Sequence, residues 1–149
     1  MKWQIAVVGK PALAYAKSGM TEYLKRLQRY VPVEVVFLKE SDVAKADSSG
    51  SAFAKLCEGA LFVALDERGE KWTTETFRDS VDQWEMSGTV KRIVLFIGGA
   101  DGHAAWIREK ASVILSVSSF TLQHELALVV ILEQLYRVYT LKRGEPYHR

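Results

Sequence analysis

The side chains best equipped for chemistry stand at the end of the chain. Tyr147, His148 and Arg149 close a sequence of 149 residues, with Arg137, Lys142, Arg143, Tyr136 and Tyr139 shortly before them. Guanidinium groups bind phosphates and tyrosine rings stack on unpaired bases, so this mixture suits RNA. A helix ending in cations that complement its dipole accounts for Lys142 and Arg143. It gives no role to Pro146–Arg149, at a terminus where polar residues ordinarily fray.

A second candidate is the run Gly98-Gly99-Ala100-Asp101-Gly102, which follows an apolar strand and precedes a helix. Ligands bind at the carboxyl ends of parallel strands, and glycines there let backbone amides approach closely. The run lacks both the dinucleotide fingerprint and the Lys-Ser/Thr ending of a P-loop, so a tight structural turn is an equal reading. Asp66 and Asp101 also follow strands. A phosphoacceptor or Mg²⁺ site would need an acidic pair beside an early strand, which is missing, and single carboxylates there commonly serve turns. His103, His124 and His148 lack ligand-like spacing, which argues against zinc. Cys57 is the only cysteine and lies in a helical segment; it reads as a packed free thiol, and no intrachain disulfide can form.

Alternating elements must position these groups. Apolar runs predict strands at Trp3–Val8, Val33–Leu38, Leu61–Leu65, Ile93–Ile97 and Val113–Val117. Between them, 3.6-residue periodicity predicts a helix after Pro11 that ends by Pro32. A short helix capped by Ser51 and another capped by Thr73 or Thr74 and ended by Gly88 follow, with a short one through Trp106 and Ile107. Glu67–Lys71 reads as a loop. His124 to about Lys142 reads as one long helix, apolar around most of its circumference. That helix needs partners on two sides, and so small a chain offers little cover, so the pattern points to a homodimer interface. The whole predicts one α/β domain over residues 1–149 with a largely parallel sheet.

Composition sets bounds on function. The chain is 48% hydrophobic and 26% charged, with a net charge of +2. An isoelectric point of about 8.6 is below the ~9 usual for a dedicated nucleic-acid module. The N-terminus lacks the apolar core and cleavage site of a signal peptide, and no apolar run approaches the ~20 residues of a membrane span. A cytoplasmic protein is the expectation. The alternating pattern alone would also fit a flavodoxin-like nucleotide-binding domain.

Several blocks together resemble a known family. They are MKWQIAVVGK, TEYLKRL, ALDERGEKWTTETF, VLFIGGADG and LSVSSFTLQHELALVVILEQLYRVYTLKRGEPYHR, in that order and spacing, and they cover the whole chain. The sequence is similar to the SPOUT-class methyltransferases that act on N3 of a pseudouridine in large-subunit (23S) rRNA. The resemblance implies a Rossmann-like parallel sheet with a C-terminal trefoil knot, a homodimer, and S-adenosylmethionine as cofactor. It places cofactor binding at Leu65, Gly98, Val117, Ser118, Ser119, Phe120, Thr121 and Leu122, with Gly99 and Gly102 in the neighbouring turn. Methyl transfer to N3 then gives two readings of His148, as proton acceptor or as an RNA-contacting or terminus-anchoring group without proton transfer, with Tyr147 placing the base and Arg137, Arg143 and Arg149 on RNA, in the assembled ribosome. The resemblance further implies that the tail of one subunit reaches the cofactor of the other. No metal is implied. A binding protein of the same fold, without transfer, is the alternative. Three positions depart from the family pattern: Ala100 after the glycine pair, Gln123 where proline precedes His124, and Leu128 where the last helix carries an arginine.

Overall fold

The computed structural model describes residues 1–44, 51–99 and 105–149. Five strands form one sheet: β1 Lys2–Val8, β2 Val33–Leu38, β3 Leu61–Lys71, β4 Arg92–Ile97 and β5 Val113–Ser116. Their order is β2-β1-β4-β3-β5, and every pairing is parallel. Parallel strands need crossovers, which the helices α1 Ala14–Leu27, α2 Glu40–Ala44, α3 Ala52–Cys57, α4 Thr74–Met86 and α5 Ala105–Lys110 supply. The last helix, α6, spans His124–Lys142, and its N-cap Gln123 accepts the Leu126 N–H through its side chain.

Alternation along the strands sorts two cores. Trp3, Ile5, Val63, Ile93 and Leu95 face α1, α4 and α6, while Ala6, Phe62, Val94 and Phe96 face Phe53 of α3 and Ile107 of α5. The result is an α/β/α sandwich. Both short helix starts behave as the sequence predicts: Ser51 and Thr73 accept the Ala54 and Thr76 N–H groups.

Two expectations need correction. Glu67–Lys71 is not a loop but the second half of β3, which shifts register between Leu65 and Glu70 and then pairs Glu70 with Leu115 and Lys71 with Ser116. Gly69 permits it: a Cβ there would lie 2.6 Å from the Ile114 carbonyl oxygen. The polarity of the segment reflects exposure, not loop structure. The second concerns α6. It lies in the middle of its layer, between α1 and α4, with Leu128, Ile131, Leu132, Leu135 and Val138 all buried. Close approach to α1 is set by Gly19, where a Cβ would come within 2.9 Å of Val129. The apolar circumference of α6 is therefore accounted for within one chain and does not by itself demand a second copy.

Candidate functional site

The irregular middle of β3, the carboxyl ends of β4 and β5 and the start of α6 surround one cavity of about 540 Å³. Leu65, Ile97, Val117, Leu122 and Ala127 give it apolar walls, and Gly98 and Gly99 bring bare backbone to it. Local hydrogen bonds hold the 117–123 loop in place. The Ser116 hydroxyl donates to the Ser118 carbonyl at 2.8 Å, and Phe120 N–H donates to Ser118 Oγ at 2.9 Å. Across the mouth, the Thr121 hydroxyl donates to Glu67 Oε2 at 2.5 Å. Asp66 lines the same cavity but spends its carboxylate on a turn: it accepts the Arg68 N–H at 2.9 Å and pairs with Arg108 at 3.1 Å. Asp66 thus lies not after a strand but inside β3, at its register shift.

The end of the loop is locked to α1. Glu125, 7% exposed, accepts the backbone N–H groups of Ala12 and Leu13, the latter at 3.1 Å. Leu13 is the N-cap of α1 and makes no side-chain cap of its own, so a carboxylate from α6 fills that role. The Leu13 N–H, then that of Ala12, with the Gln123 amide and nearby His124, hold the Glu125 carboxyl below the usual range against the opposing effect of burial.

The tail is not frayed. After α6, Gly144 (φ 67°) turns the chain back, with its N–H donating to Leu141 O and that of Glu145 to Thr140 O. Tyr147 then stacks edge-on to Tyr136, ring centres 4.7 Å apart, under the Arg137 guanidinium. Glu133 collects the cluster: it accepts from Arg137 Nε and Nη2 at 3.0 and 2.6 Å and from the Tyr147 hydroxyl at 3.1 Å. Burial, with Tyr23 and Glu133 adding to it, pushes the Tyr147 phenol up. His148 lies between Arg137, whose Nη1 is 3.3 Å from Nδ1, and Glu75, whose Oε1 is 3.3 Å from Nε2. An arginine N–H can only donate, so Nδ1 accepts and the proton of neutral His148 sits on Nε2, facing Glu75. Arg143 lies over the Tyr30 ring at 4.8 Å, and Arg149 is exposed.

A second cavity of about 410 Å³ adjoins the first, with Ser116 and Val117 in the walls of both. Trp72, Phe77 and Ile131 line it together with Thr74, Glu75 and Gln134. His148 thus touches a residue of the second cavity and is not among those lining the first.

Against this geometry the comparisons are specific. A family model described as "Predicted SPOUT methyltransferase" matches residues 1–148. The chain belongs to the SPOUT methyltransferase family. Curated relatives named "Ribosomal RNA large subunit methyltransferase H" are similar over their full lengths. That of Thermus thermophilus is 44% identical, covering 100% of this chain and 99% of the relative. That of Deinococcus radiodurans is 38% identical over the same shares. Among solved structures, a probable methyltransferase from Bordetella pertussis superposes with a TM-score of 0.61 at 12% identity, covering 93% of this chain and 96% of that one. A probable methylase family protein from Haemophilus influenzae gives a TM-score of 0.60 at 9% identity, covering 99% and 70%. These two show the fold alone.

For a SPOUT methyltransferase the sequence-derived residues fall together well at one end and differently at the other. Leu65, Gly98, Val117, Ser118, Phe120, Thr121 and Leu122 all line the larger cavity; Ser119 sits in the same loop but outside the lining. Arg137 is engaged by Glu133 and is not a free cation. Leu128, where the resemblance expects an arginine, is 0% exposed and belongs to the core. Gln123 replaces the family's proline with a side-chain helix cap. Ala100, Asp101, Gly102 and His103 lie outside the described residues. The sequence reading missed Glu67, Ser116 and Ala127 as cavity residues and Glu125 and Glu133 as anchors. Glu67, inside β3, and the two anchors, inside α6, carried no local signal.

Proposed function

We propose that this chain transfers a methyl group from S-adenosylmethionine to N3 of a pseudouridine in large-subunit rRNA, as its curated relatives' name indicates for the rRNA. The observation that carries the reading is the cavity at the middle of β3 and the ends of β4 and β5, in which seven of the residues implied by the family resemblance converge. The cavity fits the cofactor: its volume lies within the 300–1,000 Å³ range of ligand pockets, with apolar walls for an adenine and exposed backbone at Gly98 and Gly99. Leu65, Val117 and Leu122 would hold the nucleoside, and Gly98 would let backbone meet it. The cofactor supplies an already activated methyl on sulfonium.

The protein's share is positioning and one proton. N3 is a weak nucleophile while protonated, so a base should help. His148 is placed for it with Glu75 behind, a carboxylate kept ionised and able to stabilise the imidazolium that forms. The Glu75 backbone N–H first, then Thr73 and His148, hold that carboxyl below its usual range. In the docked tail both imidazole nitrogens are occupied. An RNA phosphate drawing Arg137 away would free the Nδ1 lone pair. Arg143 and Arg149 add phosphate contacts, and Tyr147 places the base. The reading includes a C-terminal trefoil knot, a single functional domain and the cytoplasmic ribosome as substrate.

A homodimer belongs to the same proposal. Its support is the apolar surface at the cofactor end, where Leu13, Tyr15 and Phe120 are exposed, Phe120 to 82%, and Tyr15 is linked to Gln123. Light scattering at micromolar concentration tests it; a monomer refutes it. The activity is tested by incubating the protein and S-adenosylmethionine with large subunits from a strain lacking it, then measuring rRNA nucleosides by mass spectrometry. One pseudouridine gaining a methyl is the expected result. Binding of cofactor and subunit without transfer would favour a non-catalytic role.

A further inference from the structure

Of the residues assigned to the cofactor the smaller cavity takes in only Val117, which with Ser116 also lines the larger one. We propose that the smaller cavity receives the target pyrimidine, flipped out of the RNA, with Gln134 and Thr74 reading its polar edge. The inference deepens the rRNA methyltransferase reading and rests on it.

Three features support the assignment. The first is contiguity. Two reacting molecules must meet, and Ser116 and Val117, common to both linings, make the two cavities neighbours. The second is the lining. A base inside a stack cannot present a ring nitrogen to a methyl donor, and pockets for extruded bases combine apolar or aromatic faces with a few polar groups for the base edge. Trp72, half-buried, provides a face, and the buried Phe77 and Ile131 form the floor beneath it. The Gln134 amide provides the edge, and it is already oriented: the Thr74 hydroxyl donates to its Oε1 at 2.7 Å, and its Nε2 donates to Glu133 at 2.7 Å. An amide has two donors and two acceptor lone pairs, so one N–H and one lone pair remain, the complement of the C2 carbonyl and the adjacent N1–H of a pseudouridine, which leaves N3 open to the methyl donor. The third is the tail. Glu75, in the wall of this cavity, meets His148 at 3.3 Å, which puts the proton acceptor at the base's side of the site and not at the cofactor's.

The test uses Gln134→Met and Thr74→Val, near-isosteric changes outside the cofactor cavity, in the full-length protein. Methyl transfer to unmethylated large subunits is measured beside S-adenosylmethionine affinity by calorimetry and subunit binding by pelleting. A misplaced base predicts kcat down by about 10²-fold, with both affinities unchanged. Wild-type kcat in folded forms of both variants overturns the base pocket and leaves rRNA methylation standing. If the wild-type protein methylates no rRNA, that reading fails, and the cavity is judged on direct binding. Pseudouridine 5′-monophosphate is titrated into the wild-type protein at millimolar concentration while the Trp72 indole and Gln134 side-chain amide are followed by NMR. Saturable shifts that ribose 5-phosphate does not produce sustain the pocket; unmoved signals refute it. The same titration decides if the Met variant does not fold.

Discussion

Replacing Gly69 with alanine tests how the sheet builds the cofactor site. Gly69 does not have a positive φ, so backbone freedom is not the reason for glycine there. Space is the reason. The new Cβ would stand 2.6 Å from Ile114 O, 2.7 Å from Ile114 C and 2.8 Å from Leu115 N, all backbone atoms of β5. To reach even 3.0 Å the strands must part by 0.4 Å, the difference between 3.0 and 2.6. No side chain can rotate away to relieve it. Overpacking of this kind costs about 1–3 kcal/mol, and the Gly→Ala gain from a stiffer unfolded chain offsets about 0.4–1 kcal/mol. For a domain of this size each kcal/mol lowers Tm by roughly 2–4 °C, so a fall of several degrees is expected. The larger effect is on function. β5 runs directly into the 117–123 loop, so the displacement is passed to Val117, Ser118 and Leu122. S-adenosylmethionine affinity should fall more than stability does. Differential scanning calorimetry and titration calorimetry measure the two. A Gly69→Ala protein with wild-type Tm, wild-type affinity and unmoved Ile114 and Leu115 amide signals would refute the role assigned to this contact.

Three further outcomes follow from the structure. The Glu125 carboxyl has its folded pKa depressed below 4.5, so its contribution to stability is complete above that pH and is lost as pH falls through the folded value; Glu125→Gln should melt lower at neutral pH, the gap closing in acid, and a gap that persists or widens below that range would contradict the cap. Burial raises the Cys57 thiol to about 11, with Arg92 and Lys110 opposing; iodoacetamide should alkylate the native protein far more slowly than the urea-unfolded one at pH 8, and equal rates would show that the thiol is open to solvent. Deleting Tyr147–Arg149 should leave S-adenosylmethionine affinity intact and greatly reduce methyl transfer, which scintillation counting of rRNA after reaction with labelled cofactor measures; full activity would remove the tail from the site.

Much of this architecture was legible because local and tertiary preferences agree. Val33–Leu38 and His124–Lys142 occupy the predicted ranges, and Ser51 and Thr73 cap the helices they precede. The larger cavity was legible for the same reason: strand ends followed by glycine or small polar residues mark the ligand edge of a parallel sheet, and the family resemblance supplied the remaining positions. The half of β3 from Glu67 to Lys71 was not legible. Its residues are polar because this end of the strand is largely exposed, and its pairing depends on a contact between Gly69 and Ile114, 45 positions apart in sequence. No window of neighbouring residues contains that information.

The tail shows the other limit of sequence reading. Composition marks Arg137, Tyr147, His148 and Arg149 as RNA-seeking, and it cannot say what they do when no RNA is bound. In the structure Glu133 accepts from both Arg137 and Tyr147, and the Tyr136 ring receives Tyr147 edge-on. An acidic residue among groups proposed to contact RNA looks self-defeating, since it opposes a phosphate. Its position resolves this: Glu133 offers Arg137 a carboxylate that a phosphate would replace, and on the proposed reading the exchange would free the Arg137 contact to His148 Nδ1. The tail is thus held in order before substrate arrives, which reduces the entropy lost on binding. The cost is a competition that RNA must win. Phosphate contacts weaken as salt rises, so the docked tail becomes the favoured state where RNA is held least well.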